Sequence, residues 1–360
     1  MRLKKIGIVF LLIIMLFSVS GCNKQDYLKT ILLFDTSISL KMYDITKSQY
    51  EEYTEVFSQQ MEYYHKLFDK YNSYTGLNNI KTINDNAGIE SVEVERPIIE
   101  LLLLAKEYYH LTNGAFDITM GNLLNTWHEY RENGLLMNNE ECFDVPLPSI
   151  NELENSKHFS GWEFVEINEE KNTVFITNTN VSIDVGAIAK GYACEKVSQS
   201  LIEHGLVYGY INGGGNIRTI GEKKDGSNWR IGIANPNDPL GASIHAIDIL
   251  NNNSVVTSGD YQRYFISNGK KYNHIINPLS LYPADNHRSV TIVSNDSAIA
   301  DILSTSLFVM TYEEGLEFLE RYNKIYPNTI NMVVWVYDIN LHPLVDGVEN
   351  TNCYIITYNN

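Results

Sequence analysis

Asp301 and Thr305 stand four residues apart inside IADILSTSLF, where the apolar spacing predicts a helix, so both side chains leave one face a turn apart. A carboxylate and a hydroxyl so placed are two hard oxygen ligands. Magnesium takes sparse oxygen sets of this kind, with water and substrate phosphates completing its octahedron. The same pair has a structural reading: an aspartate answering the helix dipole, with a threonine back-bonding below it. A second candidate is VSIDVGAIAKGYA, 181–193, in which a β-branched run reaches Asp184, turns through Gly186 and enters a helix carrying Lys190. The backbone N–H groups at such a helix start favour an anion, while Asp184 and the carbonyls of the turn can face a cation. An ordinary strand-to-helix turn capped by an aspartate has the same spelling.

His274 lies in KYNHIINP, two residues beyond Tyr272 and expected within a strand. A lone strand histidine is usually structural; beside a phosphate it would serve as an acid or base. NGGGN at 212–216 permits close backbone approach, yet lacks both the P-loop lysine and the GxGxxG spacing. TSGDYQRYF sets Ser258, Gly259 and Asp260 at a turn, which a bulge explains nearly as well. His65, His110, His128, His158, His204, His245, His287 and His342 have no metal-ligand spacing and read as surface or core residues.

These residues need a scaffold, and 360 residues with 44% hydrophobic content can bury a large core. The first segment is not part of it. MRLKK followed by IGIVFLLIIMLFSVSGC has the basic, apolar and small-residue regions of a secretory leader, and VSGC resembles a lipobox. The expected division is a lipoprotein signal peptide at 1–21, a lipid-anchored polar tether at 22–30 beginning with lipidated Cys22, and one catalytic domain at 31–360. An uncleaved membrane anchor is the other reading of the leader. Both put the folded part outside the cytoplasm, at a membrane.

The net charge is −17 for the whole chain, and without Arg2, Lys4 and Lys5 the remaining 24 basic residues face 44 acidic ones. So acidic a surface repels nucleic-acid phosphate and argues against nucleic-acid binding. Apart from Cys22 the cysteines are Cys142, Cys194 and Cys353, an odd set without CxxC spacing, so neither a disulfide framework nor a thiolate zinc site is indicated.

The elements that must position the site read as follows. A strand is expected over 32–44, then a helix from about Lys47 to Tyr71 burying Tyr53, Phe57, Met61, Tyr64 and Phe68. The Asn- and Ser-rich stretch 70–85 reads as loop, and a helix follows Pro97 to Gly114. Residues 131–156 read as an acidic surface insertion, and 161–185 as a hairpin. Strands flank the triple glycine; WRIGIANP and SIHAIDILNN continue as strands, and two more meet at a Ser-Asn-Gly turn. SVTIVS precedes the Asp301 helix, capped by Ser294 or Asn295, and a helix at 313–323 and strands near 330–339 and 353–357 end the chain. Helices separated by runs of hairpins indicate α+β with antiparallel sheets and packed helices.

Seven motifs in order then resemble one family: NSYTGLNNIKTIN at 72–84, NGAFDITMGNLLNTW at 113–127, SIDVGAIAKGYA at 182–193, YINGGGNIRTIG at 210–221, VTSGDYQRYF at 256–265, HIINP at 274–278 and ADILSTSLFVM at 300–310. The family is FAD:protein FMN transferase, ApbE, and the likeness spans essentially the whole chain after the leader. The resemblance implies an ApbE-like, T-fold-like architecture. It implies Mg²⁺ held by the Ala187 carbonyl with Asp301 and Thr305, and an FAD site made by Tyr74, Ala115, Phe116, Asp117, Asp184, Lys190, Ser258, Gly259, Asp260 and His274. It makes His274 or Asp184 the residue that takes a proton from the acceptor. Family members split FAD, attach FMN through its phosphate to a threonine or serine of a partner flavoprotein, and release AMP. A pyrophosphatase giving FMN and AMP, and a flavin-binding lipoprotein without turnover, are the rival expectations. The chain departs from the family at Asn277, Leu279, Ser280 and Leu281, where HIIDP, a basic residue, Thr and Gly are common, and at Phe34 of FDT, where many members have MGT. The acceptors' threonine motif ending SGAT does not occur here, so the acceptor is another protein.

Overall fold

The structure, a computed structural model, describes residues 24–139, 145–336 and 353–357. The leader, Cys22, Cys142, His342 and the expected strand residues 337–339 lie outside those. Among the described residues no helix is long and apolar enough to cross a membrane.

The chain opens with a hairpin, β1 (Gln25–Leu33) and β2 (Thr36–Ile45), turning at Phe34 and Asp35, both left-handed at φ 53° and 54°. Residues 25–30 therefore belong to a strand and not to a polar tether. Their ladder to β2, from Gln25 opposite Ile45 to Leu33 opposite Thr36, outweighs their polar composition. Helix α1 (Lys47–Phe68) starts at a capping box, where the Thr46 hydroxyl accepts from the Gln49 N–H and Gln49 answers the Thr46 N–H. It buries Tyr53, Phe57 and Met61, the face expected from their spacing. The stretch expected as loop at 70–85 contains α2 (Ile80–Asp85), because Asn79 and Thr82 form another capping box and Ile80 and Ile83 reach the core.

After β3 (Val92–Glu93), α3 (Arg96–Leu111) carries Pro97 in its first turn. Among the described residues the supposed insertion is helical at both ends: α4 (Gly121–Asn139) runs into it and α5 (Ile150–His158) runs out of it. Sequence polarity hid these helices, whose few apolar residues, Leu123, Trp127 and Leu153, share a small core with Phe265 and Ile276. A hairpin, β4 (Val165–Asn168) with β5 (Thr173–Ile176), comes as expected. The strand expected at 181–183 is reduced to a bridge between Ser182 and Met120. There Gly121 lets the backbones close up, since a Cβ would lie 2.5 Å from the Ser182 carbonyl oxygen.

Helix α6 (Ala189–Glu203) leads into β6 (Gly209–Gly213), β7 (Asn216–Ile220), β8 (Trp229–Ile233), β9 (His245–Ile249), β10 (Ser254–Gly259), β11 (Tyr264–Ser267), β12 (Lys270–Asn273) and β13 (Ser289–Ser294). Then come α7 (Ser297–Val309), α8 (Tyr312–Ile325), β14 (Ile330–Val336) and β15 (Cys353–Thr357). Eight strands form one antiparallel sheet in the order β1-β2-β6-β7-β10-β13-β14-β15. Alternation assigns its faces. Val290 and Ile292 of β13 with Val333 and Trp335 of β14 point into the main core, where α7 packs. Val293, Val334 and Val336 point the other way, under Trp229, Ile233, Ile247 and Ile249 of the β8–β9 hairpin. The α+β expectation therefore holds, with α1, α6 and α7 laid against the sheet.

Candidate active site

The contact that organises the site is between α6 and α7. At Gly191 an added Cβ would lie 2.4 Å from the Ser297 carbonyl oxygen and 2.6 Å from the Asp301 Cβ, so only glycine allows this approach. The Gly191 N–H then donates to Asp301 Oδ2 at 2.8 Å. Asp301 is buried at 6% exposure, and Thr305, one turn on, has its hydroxyl 3.3 Å from that of Ser258 at the end of β10. Ser258 also meets Ser304 at 2.9 Å. Ala187 sits in the turn 186–188 that feeds α6. Thus Gly191 of α6, one turn past Ala187, meets Asp301, and Ser258 of β10 meets Thr305, so α6 and β10, distant in sequence, converge on α7.

The start of α7 is fixed twice. Asp296, not Ser294 or Asn295, is its cap, accepting the Ile299 N–H at 3.0 Å; the Ser294 hydroxyl is instead bound to the Thr329 carbonyl. From α6, Glu195 accepts the Ser297 N–H at 2.9 Å and pairs with Arg218 of β7 at 2.9 Å. The α6 start itself is not the open anion cradle expected from its sequence. Its Ala189 N–H donates to the Val185 carbonyl and its Gly191 N–H to Asp301, so these donors are already used. Positive charge comes from side chains.

Burial pushes the Asp301 carboxyl above the usual range, opposed by the Lys190 ammonium. His274, in a bend just past β12 and not within the strand, is pushed down to about 3 by burial, then by the charges of Arg263, Lys190 and Arg131. Its Nδ1 is buried without a hydrogen-bond partner. The ring is a neutral base surrounded by cations.

A second group adjoins. Asp184 caps the turn, its Oδ1 accepting the Gly186 N–H at 2.8 Å, while Oδ2 pairs with Lys70 at 2.6 Å. Lys70 also donates to Asn125 of α4. Burial presses the Lys70 ammonium down, and Asp184 more than offsets this, leaving its pKa raised. Arg131 of α4 donates to His128 Nδ1 at 2.7 Å, which fixes that ring as the Nε2–H tautomer because a guanidinium cannot accept. Burial first, then Arg131, lowers the His128 pKa, and the charges of Lys70 and Asp184 also reach it. With both its oxygens engaged, Asp184 is the less available proton acceptor of the expected two.

The other expected residues are spread around this centre. Gly259 ends β10, and Asp260 pairs with Arg288 at 2.6 Å, which ties the turn to β13. Tyr74 donates to Asp69 at 2.7 Å in the 72–77 turn. Phe116 packs in the main core at 2% exposure, and Asp117 is committed to Lys157 at 3.0 Å and Thr119 at 2.6 Å. Those two side chains face inward, so this stretch offers a ligand its main chain and the half-buried Ala115. Phe34 meets His65 edge-on at 5.2 Å, and Arg263 reaches the neighbouring Asp35 carbonyl at 3.4 Å. Sequence reasoning missed Lys70, Arg131 and Arg263. Only Arg263 lay inside a motif it had singled out. Among the described residues no group of three or more His, Cys, Asp or Glu gathers as a metal centre, so a metal here would rest on one carboxylate with neutral oxygens.

The fold and site define an α+β protein whose α6–α7 contact sets a buried carboxylate, with a half-buried hydroxyl one turn on, within reach of several cationic side chains. The sequence pattern of the ApbE family matches residues 34–327, and the chain belongs to that family. FAD:protein FMN transferase of Klebsiella pneumoniae is 33% identical over 243 residues, covering 67% of this chain and 71% of that protein. The protein of the same name from Haemophilus influenzae is 30% identical over 258 residues, covering 71% and 72%. Among solved structures, an ApbE protein from Thermotoga maritima superposes with a TM-score of 0.73 at 30% identity, covering 87% of this chain and 94% of that one. The flavinyl transferase ApbE of Pseudomonas stutzeri, at 24% identity and a TM-score of 0.70 over 88% and 92%, supports the fold alone.

Proposed function

We propose that this chain is a magnesium-dependent FAD:protein FMN transferase, which splits FAD, joins FMN by a phosphoester to a threonine or serine of an acceptor flavoprotein, and releases AMP. It acts outside the cytoplasm, held at the membrane through a lipidated Cys22; the leader sequence supports that placement. The observation that supports the reading is the contact of α6 with α7, where the Gly191 N–H meets the buried Asp301 carboxylate one turn before Thr305, and where the Lys190 charge reaches both Asp301 and His274.

The residues fit the metal. A carboxylate that burial disfavours, a hydroxyl one turn away and a main-chain carbonyl at Ala187 make a hard, sparse donor set suited to Mg²⁺ and not to zinc. Bound there, the ion would supply charge neutralisation for the linked phosphates. Lys190 and Arg263 add positive charge from their own elements, and phosphoryl transfer depends chiefly on such neutralisation and alignment. His274 is the group assigned the proton of the acceptor hydroxyl; anionic phosphates bound beside it would offset the neighbouring cations and raise its pKa from about 3 toward the range a general base needs. The hydroxyl oxygen forms the new bond to the FMN phosphorus, the bond from that phosphorus to the AMP oxygen breaks, and AMP leaves.

The test incubates the protein with FAD, Mg²⁺ and an acceptor flavoprotein, followed by mass spectrometry of the acceptor and assay of AMP. An FMN-sized addition on threonine or serine with matching AMP is expected, and Asp301→Ala should lose both while remaining folded. AMP and FMN released equally well without acceptor would make the chain a pyrophosphatase, and FAD unchanged throughout would make it a binding protein.

A further inference from the structure

The loop that carries His274, HIINPLSL at 274–281, contains no lysine or arginine, and its Leu279 is 86% exposed. Positive charge on this side of the cleft must therefore come from another element. Helix α4 lies across that side. Trp127 Nε1 donates to the Leu281 carbonyl at 2.8 Å, and the Trp127 ring stacks on Tyr272 of β12 at 6.0 Å. Seven residues on, Gly134 leaves room for Phe265 of β11, where a Cβ would lie 2.7 Å from the ring. Arg131 falls between them at i+4 from Trp127, on the same helix face. Its side chain is only 15% exposed, and its charge reaches His274, just past the β11–β12 hairpin.

Two contacts hold Arg131. His128 Nδ1 accepts from Nη2 at 2.7 Å, and Glu132 accepts at 3.1 Å. The Glu132 side chain is 54% exposed, so water competes for that pair and it neutralises little of the guanidinium charge. The Arg131 charge reaches His274, while His128 lies within the influence of Lys70 and Asp184. Arg131 thus lies within electrostatic reach of His274 and, through His128, adjoins the Lys70–Asp184 group.

We infer that Arg131 is a substrate-binding residue of this site, its guanidinium contacting a phosphate of the bound dinucleotide from α4, with His128 as the positioning residue that orients it. The inference rests on the transferase reading for the identity of the ligand. A guanidinium matches phosphate oxygens in a forked geometry that an ammonium cannot reproduce. The contact belongs to the phosphates and not to the flavin ring.

The experiment compares FAD and riboflavin binding, by fluorescence titration, to the full chain and to Arg131→Met and Arg131→Lys. Arg131→Met should weaken FAD about 10- to 100-fold, the range of a lost charge-assisted hydrogen bond, and leave riboflavin within about twofold. Arg131→Lys should recover part of the FAD loss, since it restores the charge without the fork. Equal losses for both ligands would make Arg131 a structural residue, and unchanged FAD affinity in both variants would remove it from the site. Wild-type protein that binds no FAD would instead overturn the transferase reading, a failure visible before any variant is compared.

Discussion

Asp301 is a carboxylate that folding by itself disfavours. Its folded pKa is raised above the unfolded value of 3.8, so its favourable contribution is present only at acid pH and is lost as pH rises through the folded pKa. At neutral pH the charge is a liability that a bound cation would relieve. Asp301→Asn, which keeps an acceptor for the Gly191 N–H, should therefore melt higher than wild type without metal. Wild type should gain on adding Mg²⁺, by about 2.7 kcal/mol at a hundred times Kd, and the variant should not. Melting curves with and without Mg²⁺ check this; an equal Mg²⁺ gain in the variant would place the ion elsewhere. His274 has the opposite sign of dependence. Its folded pKa, about 3, lies below the ordinary 6.5, so protonation favours the unfolded chain, and stability present above 6.5 is lost as pH falls toward 3. Urea midpoints at about pH 7 and about pH 4.5 should differ less for His274→Gln than for wild type, because glutamine carries no such proton linkage.

The elements matter through the way α7 is fastened. Asp301 and Thr305 reach the cleft only if α7 keeps its rotation and depth against α6, and Glu195 sets both by holding the Ser297 N–H and Arg218 together. Burial raises the Glu195 carboxyl and the Arg218 charge opposes this, so each partner depends on the other. Glu195→Gln leaves Arg218 uncompensated in a buried place. It should cost about 3 kcal/mol by urea unfolding, and it should raise the Mg²⁺ concentration needed for half-maximal turnover. Turnover with unaltered Mg²⁺ dependence would mean that α7 is located by its apolar packing alone.

On the scale of the whole molecule, a chain of net charge −17 places Arg263, Lys190 and Arg131 within reach of His274, and Arg131 and Lys70 within reach of His128. The approaching dinucleotide is an anion and meets long-range repulsion before it reaches those cations. Salt removes the first effect more than the second, since charges beyond about 10 Å are screened at 0.1 M while buried contacts are screened much less. The KM for FAD should thus fall as ionic strength rises from about 0.01 to about 0.15 M. A rising KM in steady-state assays would mean that the local cations govern the encounter.

Much of this was legible in the sequence. Alternation gave most strands, apolar spacing gave α1, α3, α6 and α7, and the four-residue step from Asp301 to Thr305 fixed their common face, because these features depend only on backbone periodicity. Polar composition misled at 25–30, at 70–85 and at 131–156, where capping boxes, a strand ladder and a small shared core outweighed it. The closeness of α6 to α7 at Gly191, the burial that displaces the pKa values of Asp301 and His274, the reach of Arg131 to His274 and the pairing of Lys70 with Asp184 were decided by tertiary structure alone. No local pattern records which distant segments share a cleft, and charge acquires its chemical meaning there only when packing has removed the water.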